Sequence, residues 1–321
     1  MTEHANRSAR GRSPDDDEAT LCDLLDADRE RDRRGAALGL IDVAERTELA
    51  DATVARLAER ANGDESADVR QFAVEALGHA VEGAGGAAAG DTGIESDDGD
   101  AGIETVAERA AAAVRTALAD ADEWVRAEAV VAHSRAAPGD EATLRDAIDD
   151  DSGWVRRNAV IALSKTGAAS QDLLVERIKS DPHQGVREYA ADYLREYAED
   201  RSEAVRILAA VLAREPAAFV RAKAAASLGD LGADRAEEAL ERHGLNDRSD
   251  DVRRSAKQAL ATARGVEPEQ IDAGPDDAEA APGGGSGSRR EQNGRRQGRQ
   301  GPGGGPAGAT DGLTQGQRDR R

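Results

Sequence analysis

A nine-residue motif recurs along the 321-residue chain and constrains its fold more than any other feature. It reads Val-Arg-x-x-Ala-x-x-Ala-Leu, and its clearest copy runs from Val155 to Leu163, shortly after Asp151. Aligned on the valine, the copies lie at Asp32 (a degenerate first copy), Val69, Val125, Val155, Val186, Val220 and Val252. The spacings are 37, 56, 30, 31, 34 and 32 residues. Such a period is typical of a solenoid, and the long spacing holds an insertion.

Within each copy the apolar residues fall at offsets 0, +4, +7 and +8 from the valine, which form one stripe of an α-helix. A second helical segment precedes most copies, at residues 49–61, 103–119, 142–148, 173–178, 205–213 and 236–243. Turn-forming pairs such as Pro138-Gly139 separate the units. The unit is therefore predicted to be helix A, a short turn and helix B. About seven pairs are expected over residues 15–264.

The motif resembles HEAT repeats, especially the short HEAT-like repeats of phycobilisome lyases. The resemblance covers residues 15–264 and rests on the acidic–x–x–Val-Arg–x–x–Ala–x–x–Ala-Leu pattern. It implies an all-α fold, an α-solenoid or superhelix of about seven HEAT-like helix pairs. It also implies that the B helices line the concave face, which commonly binds a partner.

Three segments lie outside the repeats and are expected to be disordered: an arm at 1–14, an acidic insertion at 83–102 and a Gly/Arg/Gln-rich tail at 265–321. Their low hydrophobicity leaves too little apolar surface to form a core. Residues 283–321 carry eight Arg and three acidic residues, a net charge of +5. Since the whole chain carries −21, the remainder carries −21 − 5 = −26.

The charge composition resembles that of proteins from organisms with molar salt in the cytoplasm. Of the 43 basic residues only four are lysine, and 64 residues are acidic. An ordinary acidic protein is the alternative.

A lone cysteine, Cys22, excludes an internal disulfide, and no apolar run is long enough for a signal peptide or a membrane span. We therefore expect a cytoplasmic, monomeric protein that does not contact the membrane.

An arginine follows the valine position in every copy: Arg33, Arg70, Arg126, Arg156, Arg187, Arg221 and Arg253. One interpretation is a basic stripe for phosphate or nucleic acid. The other is a structural ladder, in which each arginine pairs with an acidic residue of the neighbouring turn. Recurrence in every repeat favours the ladder, because a binding residue need not recur in each unit.

The residues that differ between copies indicate a binding patch in the middle of the array. Trp124 and Trp154 precede the valine in adjacent copies, and Val131 and Ile161 occupy a position that is polar in other copies. With Arg157 they form the candidate partner-binding site, since Trp and Arg are enriched at interface hot spots. The alternative is that the tryptophans are buried against helix A.

No motif indicates catalysis, a metal site or a cofactor. His133 stands where most copies have leucine and is expected to be buried and neutral; none of the other histidines has ligand spacing to it. The predicted function is a non-catalytic scaffold or adaptor that binds a protein partner on the concave B-helix face. The alternatives are nucleic-acid association through the Arg-rich tail, or a lyase-like enzyme accessory.

The acidic composition predicts that salt stabilises the folded chain, because screening at high ionic strength weakens repulsion between like charges. The midpoint of thermal unfolding, followed by circular dichroism, should rise between about 0.1 M and about 2 M KCl. A midpoint that stays constant or falls with salt would contradict the halophilic interpretation.

Overall fold

A computed structural model describes residues 17–88 and 105–271, with side chains described to residue 81 and again from residue 105. Regular structure in these ranges is entirely helical. The predicted arm at 1–14, most of the insertion and the tail from residue 272 lie outside the described residues.

Fourteen α-helices of the described residues form seven consecutive A–B pairs. The A helices are α1 Glu18–Leu24, α3 Asp51–Gly63, α5 Val106–Ala117, α7 Glu141–Asp146, α9 Gln171–Ser180, α11 Arg201–Arg214 and α13 Asp234–Ala239. The B helices are α2 Glu30–Ala44, α4 Ala67–Ala88, α6 Glu123–Ala136, α8 Gly153–Lys165, α10 Gln184–Tyr193, α12 Ala218–Leu231 and α14 Asp250–Arg264. A 3-10 turn, Ala147–Asp149, extends α7, and a π-helical turn, Leu240–Gly244, extends α13. The predicted all-α solenoid of about seven helix pairs is confirmed.

Helix α4 runs to Ala88, so it includes the first residues of the predicted insertion at 83–102. Once a helix has formed, each added residue gains a hydrogen bond without a new nucleation cost. The alanines of this stretch therefore extend the helix despite its glycines.

Short polar side chains set the starts of several helices by accepting hydrogen bonds from free backbone N–H groups. Asp122 caps α6 and Ser152 caps α8. Thr105 and Glu108 form a reciprocal capping box at the start of α5. The Asp122 and Ser152 caps fix where α6 and α8 begin, and so fix the positions of Trp124 and Trp154 in their first turns.

The recurrent stripe forms the core. In α8 the residues Val155, Ala159 and Leu163 are buried, and Leu174 from the following A helix is buried in the same cluster. One apolar cluster covers the first part of the array and a second covers the rest; both include residues of α6. The middle of the array, where the candidate patch was predicted, is therefore also where the two clusters meet.

Small residues let neighbouring B helices approach closely. A Cβ atom added to Gly78 of α4 would lie 2.7 Å from the Cβ of Ala132 in α6, and one added to Gly229 of α12 would lie 2.6 Å from the Cβ of Ala259 in α14. Real Cβ atoms do not approach so closely, so these two glycines are required by the packing of successive repeats.

The motif arginines lie between successive repeats. The first six each donate from Nε and Nη2 to both oxygens of one carboxylate in the turn before the next B helix, at 2.7 to 3.0 Å. The pairs in the described residues are Arg33–Asp64, Arg70–Asp120, Arg126–Asp150, Arg156–Asp181, Arg187–Glu215 and Arg221–Asp247. Such two-bonded guanidinium–carboxylate contacts are short and directional, so they fix the register between repeats.

The pairs join into one continuous chain of hydrogen bonds. Nη1 of Arg156 donates to the backbone oxygens of Asp150 and Asp151, and Asp150 is itself the carboxylate bound by Arg126. The same carboxylate accepts the backbone N–H of Ser152, in the turn before α8. Each acidic residue thus links one arginine through its side chain and the next through its carbonyl oxygen.

The first and last motif arginines, Arg33 and Arg253, each lack a ladder neighbour on one side among the described residues. Arg253 of the last repeat donates to the backbone oxygen of Asp247 and, at short range, to Asp250 of its own helix. At the other end, Arg33 donates to the backbone oxygen of Ala27, whose side chain cannot accept a hydrogen bond from an earlier repeat. Among the described residues, the ladder pairs therefore run from Arg33 to Asp247.

Burial and hydrogen bonding act in opposite directions on the ladder carboxylates. Burial of Asp181 opposes its ionisation, but bonds from Arg156 and from the backbone N–H of His183 outweigh this and place the pKa of Asp181 below its ordinary value of 3.8. The hydrogen bonds to Asp181 raise the pKa of Arg156. Both groups are therefore charged near neutral pH, although Arg156 is only 9% exposed and Asp181 only 5%.

Replacing Asp181 with Asn should destabilise the fold by about 3 kcal/mol, because it leaves the buried charge of Arg156 without its counter-charge. The free energy of unfolding can be measured by urea titration with circular dichroism. The matched control is Asp251→Asn, which removes the exposed pair with Arg254, whose side chains are 76% and 75% exposed. That control should change stability by less than about 0.5 kcal/mol, and equal effects of the two substitutions would contradict a stabilising ladder.

Acid should also destabilise the array. The pKa of every ladder carboxylate is lowered in the folded chain, so the unfolded chain takes up protons at a higher pH than the folded chain does. The stabilisation is complete above the ordinary pKa and is lost as the pH falls through the lowered one. The unfolding midpoint, measured in about 2 M KCl to screen surface repulsion, should fall below about pH 5. Asp181→Asn should make that fall shallower, whereas Asp251→Asn should not.

Candidate functional site

The two tryptophans lie side by side at the amino-terminal ends of α6 and α8. Their backbone N–H groups are held by the capping side chains of Asp122 and Ser152. The rings of Trp124 and Trp154 are 5.2 Å apart between centroids, at 33° between planes. Both residues are half-buried, and Trp154 packs against the second apolar cluster. The two rings therefore pack against each other, and each remains partly exposed.

The ring of His183 also packs against Trp154, so Trp124, Trp154 and His183 form a row of three aromatic rings. Its ring lies 4.8 Å from that of Trp154, edge to face at 65°. A Cβ atom on Gly153 would lie 2.4 Å from the His183 ring, so only glycine leaves room for the histidine there. Burial lowers the pKa of His183, although the negative charge of Asp181 acts in the opposite direction.

Arg157 of α8 contacts both Trp154 of this row and Tyr189 of α10. Its guanidinium carbon lies 5.9 Å from the Trp154 ring centroid and 4.7 Å from that of Tyr189, within the range of cation–π attraction. Its Nη2 also donates to the Tyr189 hydroxyl at 3.0 Å. We define the aromatic cluster as Trp124, Trp154, His183, Arg157 and Tyr189.

The tyrosines were not selected from the sequence. Tyr189 stacks with Tyr193 at 6.5 Å between centroids, and the Tyr197 hydroxyl donates to the backbone oxygen of Ser164 in α8. The signal was available: all three tyrosines of the chain lie within nine residues of one repeat. Reading only the residue before the valine missed them, because Gly185 stands there in that repeat.

Val131 and Ile161 lie two helical turns further along the same helices and line a groove between α6 and α8. The groove has a volume of about 480 Å³, and Pro138, Asn158 and Ala162 also line it. Val131 and Ile161 are half-buried. The residues lining this α6–α8 groove do not include Trp124, Trp154 or Arg157. The five residues predicted as one patch therefore form two neighbouring parts of one B-helix face.

The charged residues that line the groove, among those the structure describes, are Arg135 and Lys165. The positive charge of Arg135 lowers the pKa of Glu128, which lies in the same helix. Burial and the nearby carboxylate of Glu75 together raise the pKa of Glu128 to about 8, and Arg135 opposes the increase. Both charged residues described in the groove lining are therefore positive, in a chain whose net charge is −21.

A second cavity of about 420 Å³ lies between α11, α12 and the π-helical turn. Arg214, Arg242, His243 and Arg248 line it together with ladder residues. Arg242 pairs with Glu238, and Arg248 donates to the backbone oxygen of Pro216. These exposed arginines were not selected from the sequence, because they lie outside the B-helix motif.

One group that could support chemistry, the imidazole of His133, contacts an acidic side chain. His133 is buried, as expected, and its Nε2 lies 3.1 Å from the Asp140 carboxylate. Burial lowers the pKa of His133, against the effect of Asp140. Within residues 17–88 and 105–271, no three His, Cys, Asp or Glu side chains are grouped so that they could hold a metal ion.

Residues 111–195 and 171–261 match the family model described as HEAT repeats. The two matches together cover nearly all of the last five helix pairs. No curated protein sequence matches the chain. The matched residues are therefore similar to HEAT repeats, and the paired helices form an α-solenoid.

Several solved structures are similar to this chain. YibA of Escherichia coli superposes with a TM-score of 0.51 at 20% sequence identity, over 81% of this chain and 86% of that protein. The complex of CpcE and CpcF of phycocyanin lyase from Nostoc sp. PCC7120 gives a TM-score of 0.44 at 18% identity, over 78% and 89%. The Kap95:Nup1 complex gives 0.47 at 13% identity, over 77% of this chain and 35% of that chain.

In the part of the chain that the structure describes, every helix is too short or too polar to span a bilayer.

Proposed function

We propose that this chain is a non-catalytic scaffold that binds a protein partner along the B-helix face of its solenoid. The observation that carries the proposal is the α6–α8 groove lying next to the aromatic cluster. Interface hot spots are enriched in Trp, Tyr and Arg set in partly desolvated surroundings, and the cluster supplies all three. The groove adds an apolar recess of about 480 Å³ on the same two helices.

The ladder supports a scaffolding role. Because a continuous chain of hydrogen bonds fixes each repeat against the next, the B-helix face is held in register before a partner binds. A preorganised face loses little conformational entropy on binding. The half-buried side chains of the cluster pack on one another, so their rotamers are also restricted in advance.

The acidic composition supports a finer proposal, that the protein works in a cytoplasm of high salt. Under those conditions long-range attraction between charged surfaces is weak. Recognition would then depend on apolar contacts and on close, directional bonds, which the cluster and the groove provide. The Arg-rich tail at 283–321, on which the nucleic-acid alternative depends, lies outside the described residues.

The proposal is tested by affinity capture with the full-length chain from a lysate of the source organism, in about 2 M KCl, followed by mass spectrometry. Trp154→Ala and Ile161→Asp should each lose the captured proteins, since truncating a hot-spot residue costs about 2 kcal/mol or more of binding free energy. The matched control is Val266→Asp, which places the same charge at an exposed valine beyond α14. It should capture as the unchanged chain does.

Circular dichroism must show that each variant is folded. If folded Trp154→Ala and Ile161→Asp retain the same partners as the unchanged chain, binding along this face is contradicted. If nucleic acid is captured instead and is lost on removal of residues 283–321, the tail alternative replaces the scaffold proposal.

A further inference from the structure

We infer that the α6–α8 groove binds an aliphatic side chain of the partner together with a carboxylate next to it in sequence. The ligand would be a short segment in which Leu, Ile or Val adjoins Asp or Glu. This inference rests on the proposed function and adds the chemistry of the partner. It follows from the floor of the groove, from its internal hydrogen bonds and from its charge.

The floor is apolar. Val131 from α6 faces Ile161 and Ala162 from α8 across the groove, and Pro138 borders it. At about 480 Å³ the recess falls in the lower part of the range of about 300 to 1,000 Å³ found for ligand sites. It can therefore enclose one or two aliphatic side chains, whose transfer from water is favourable in proportion to the area buried.

The polar groups of the wall are already satisfied within the protein. Ser134 Oγ donates to the backbone oxygen of Val131 at 2.8 Å, and Thr166 Oγ1 donates to that of Ala162 at 2.9 Å. Asn158 Nδ2 donates across the repeat boundary to the backbone oxygen of Ala127 at 2.7 Å. Because these three donors already form hydrogen bonds within the protein, they add little to ligand selectivity beyond the shape of the groove. The ammonium group of Lys165 is then the group that can recognise a polar part of the ligand.

Lys165 gives this repeat a basic residue that the two following repeats lack. It ends α8, is exposed, lines the groove, and forms no ion pair with any residue that the structure describes. The equivalent residue of the preceding repeat, Arg135 in α6, is also basic, whereas those of the two following repeats are acidic: Glu196, just after α10, and Asp230 in α12. An ammonium group at the rim of an apolar recess is complementary to a carboxylate beside an apolar anchor.

The experiment is a selection from a random dodecapeptide library displayed on phage, against the immobilised full-length chain. Selected peptides should share an aliphatic residue next to Asp or Glu. For one selected peptide, fluorescence polarisation should show roughly fivefold weaker binding when its carboxylate is replaced by the amide, as expected for an exposed ion pair. That difference should shrink as salt rises.

Two variants and a control locate the site. Lys165→Glu, an exposed change that leaves the core intact, should lower affinity for the acidic peptide and remove the difference between acid and amide. Ile161→Ala should weaken binding of both peptides, and Val266→Asp should affect neither. Loss of the acid preference in Lys165→Glu, with weaker binding retained, would support the inference.

Three results would overturn the inference: selection of basic peptides without acidic ones, no selected peptide, or an acid preference that persists in Lys165→Glu. The proposed function is tested separately, because it concerns capture of whole proteins. If capture depends on Trp154 and Ile161 while the peptide preference fails, the scaffold proposal stands and this inference falls.

Discussion

The two-bonded contact between a motif arginine and a carboxylate of the next repeat is the interaction on which the rest of the structure depends. Apolar stripes alone let neighbouring helices slide and rotate, because hydrophobic contact is not directional. A planar guanidinium that binds both oxygens of one carboxylate and two backbone oxygens allows a single register. Since each carboxylate also accepts a backbone N–H before the next B helix, one group sets both the contact between repeats and the start of a helix.

Because the ladder and the buried stripe recur from repeat to repeat, the repeats differ in surface chemistry only at the remaining positions. Val155, Arg156, Ala159 and Leu163 are used in packing and pairing, so the opposite face of α8 is free to differ from its neighbours. On that face the aromatic cluster crosses from α6 to α10, and the α6–α8 groove lies two turns away. Most of the aromatic residues of a chain with only seven are thus concentrated in three consecutive repeats near the middle of the array.

Much of the fold could be predicted because its rules are local. The helical period of the stripe and the recurrence of Val-Arg predicted an all-α solenoid of about seven pairs, and the structure confirms it. The end of α4 could not be predicted, because helix propagation through a Gly/Ala stretch depends on a balance of small energies.

The site was predicted less completely. Trp124 and Trp154 stood out by identity, whereas His183 joins them only because Gly153 leaves space in the preceding repeat.

The sequence by itself determined the repeat, the buried stripe, the place of each arginine and the excess of acidic charge, since these follow from residue type and spacing. Only the tertiary structure decided which carboxylate each arginine binds, because Arg70 and Asp120 are 50 residues apart with the insertion between them. It also decided that the five residues predicted as one patch divide into an aromatic cluster and a groove. The physical reason is that both depend on contacts between helices, whose spacing and rotation are set by packing and by the ladder, not by the period of one helix.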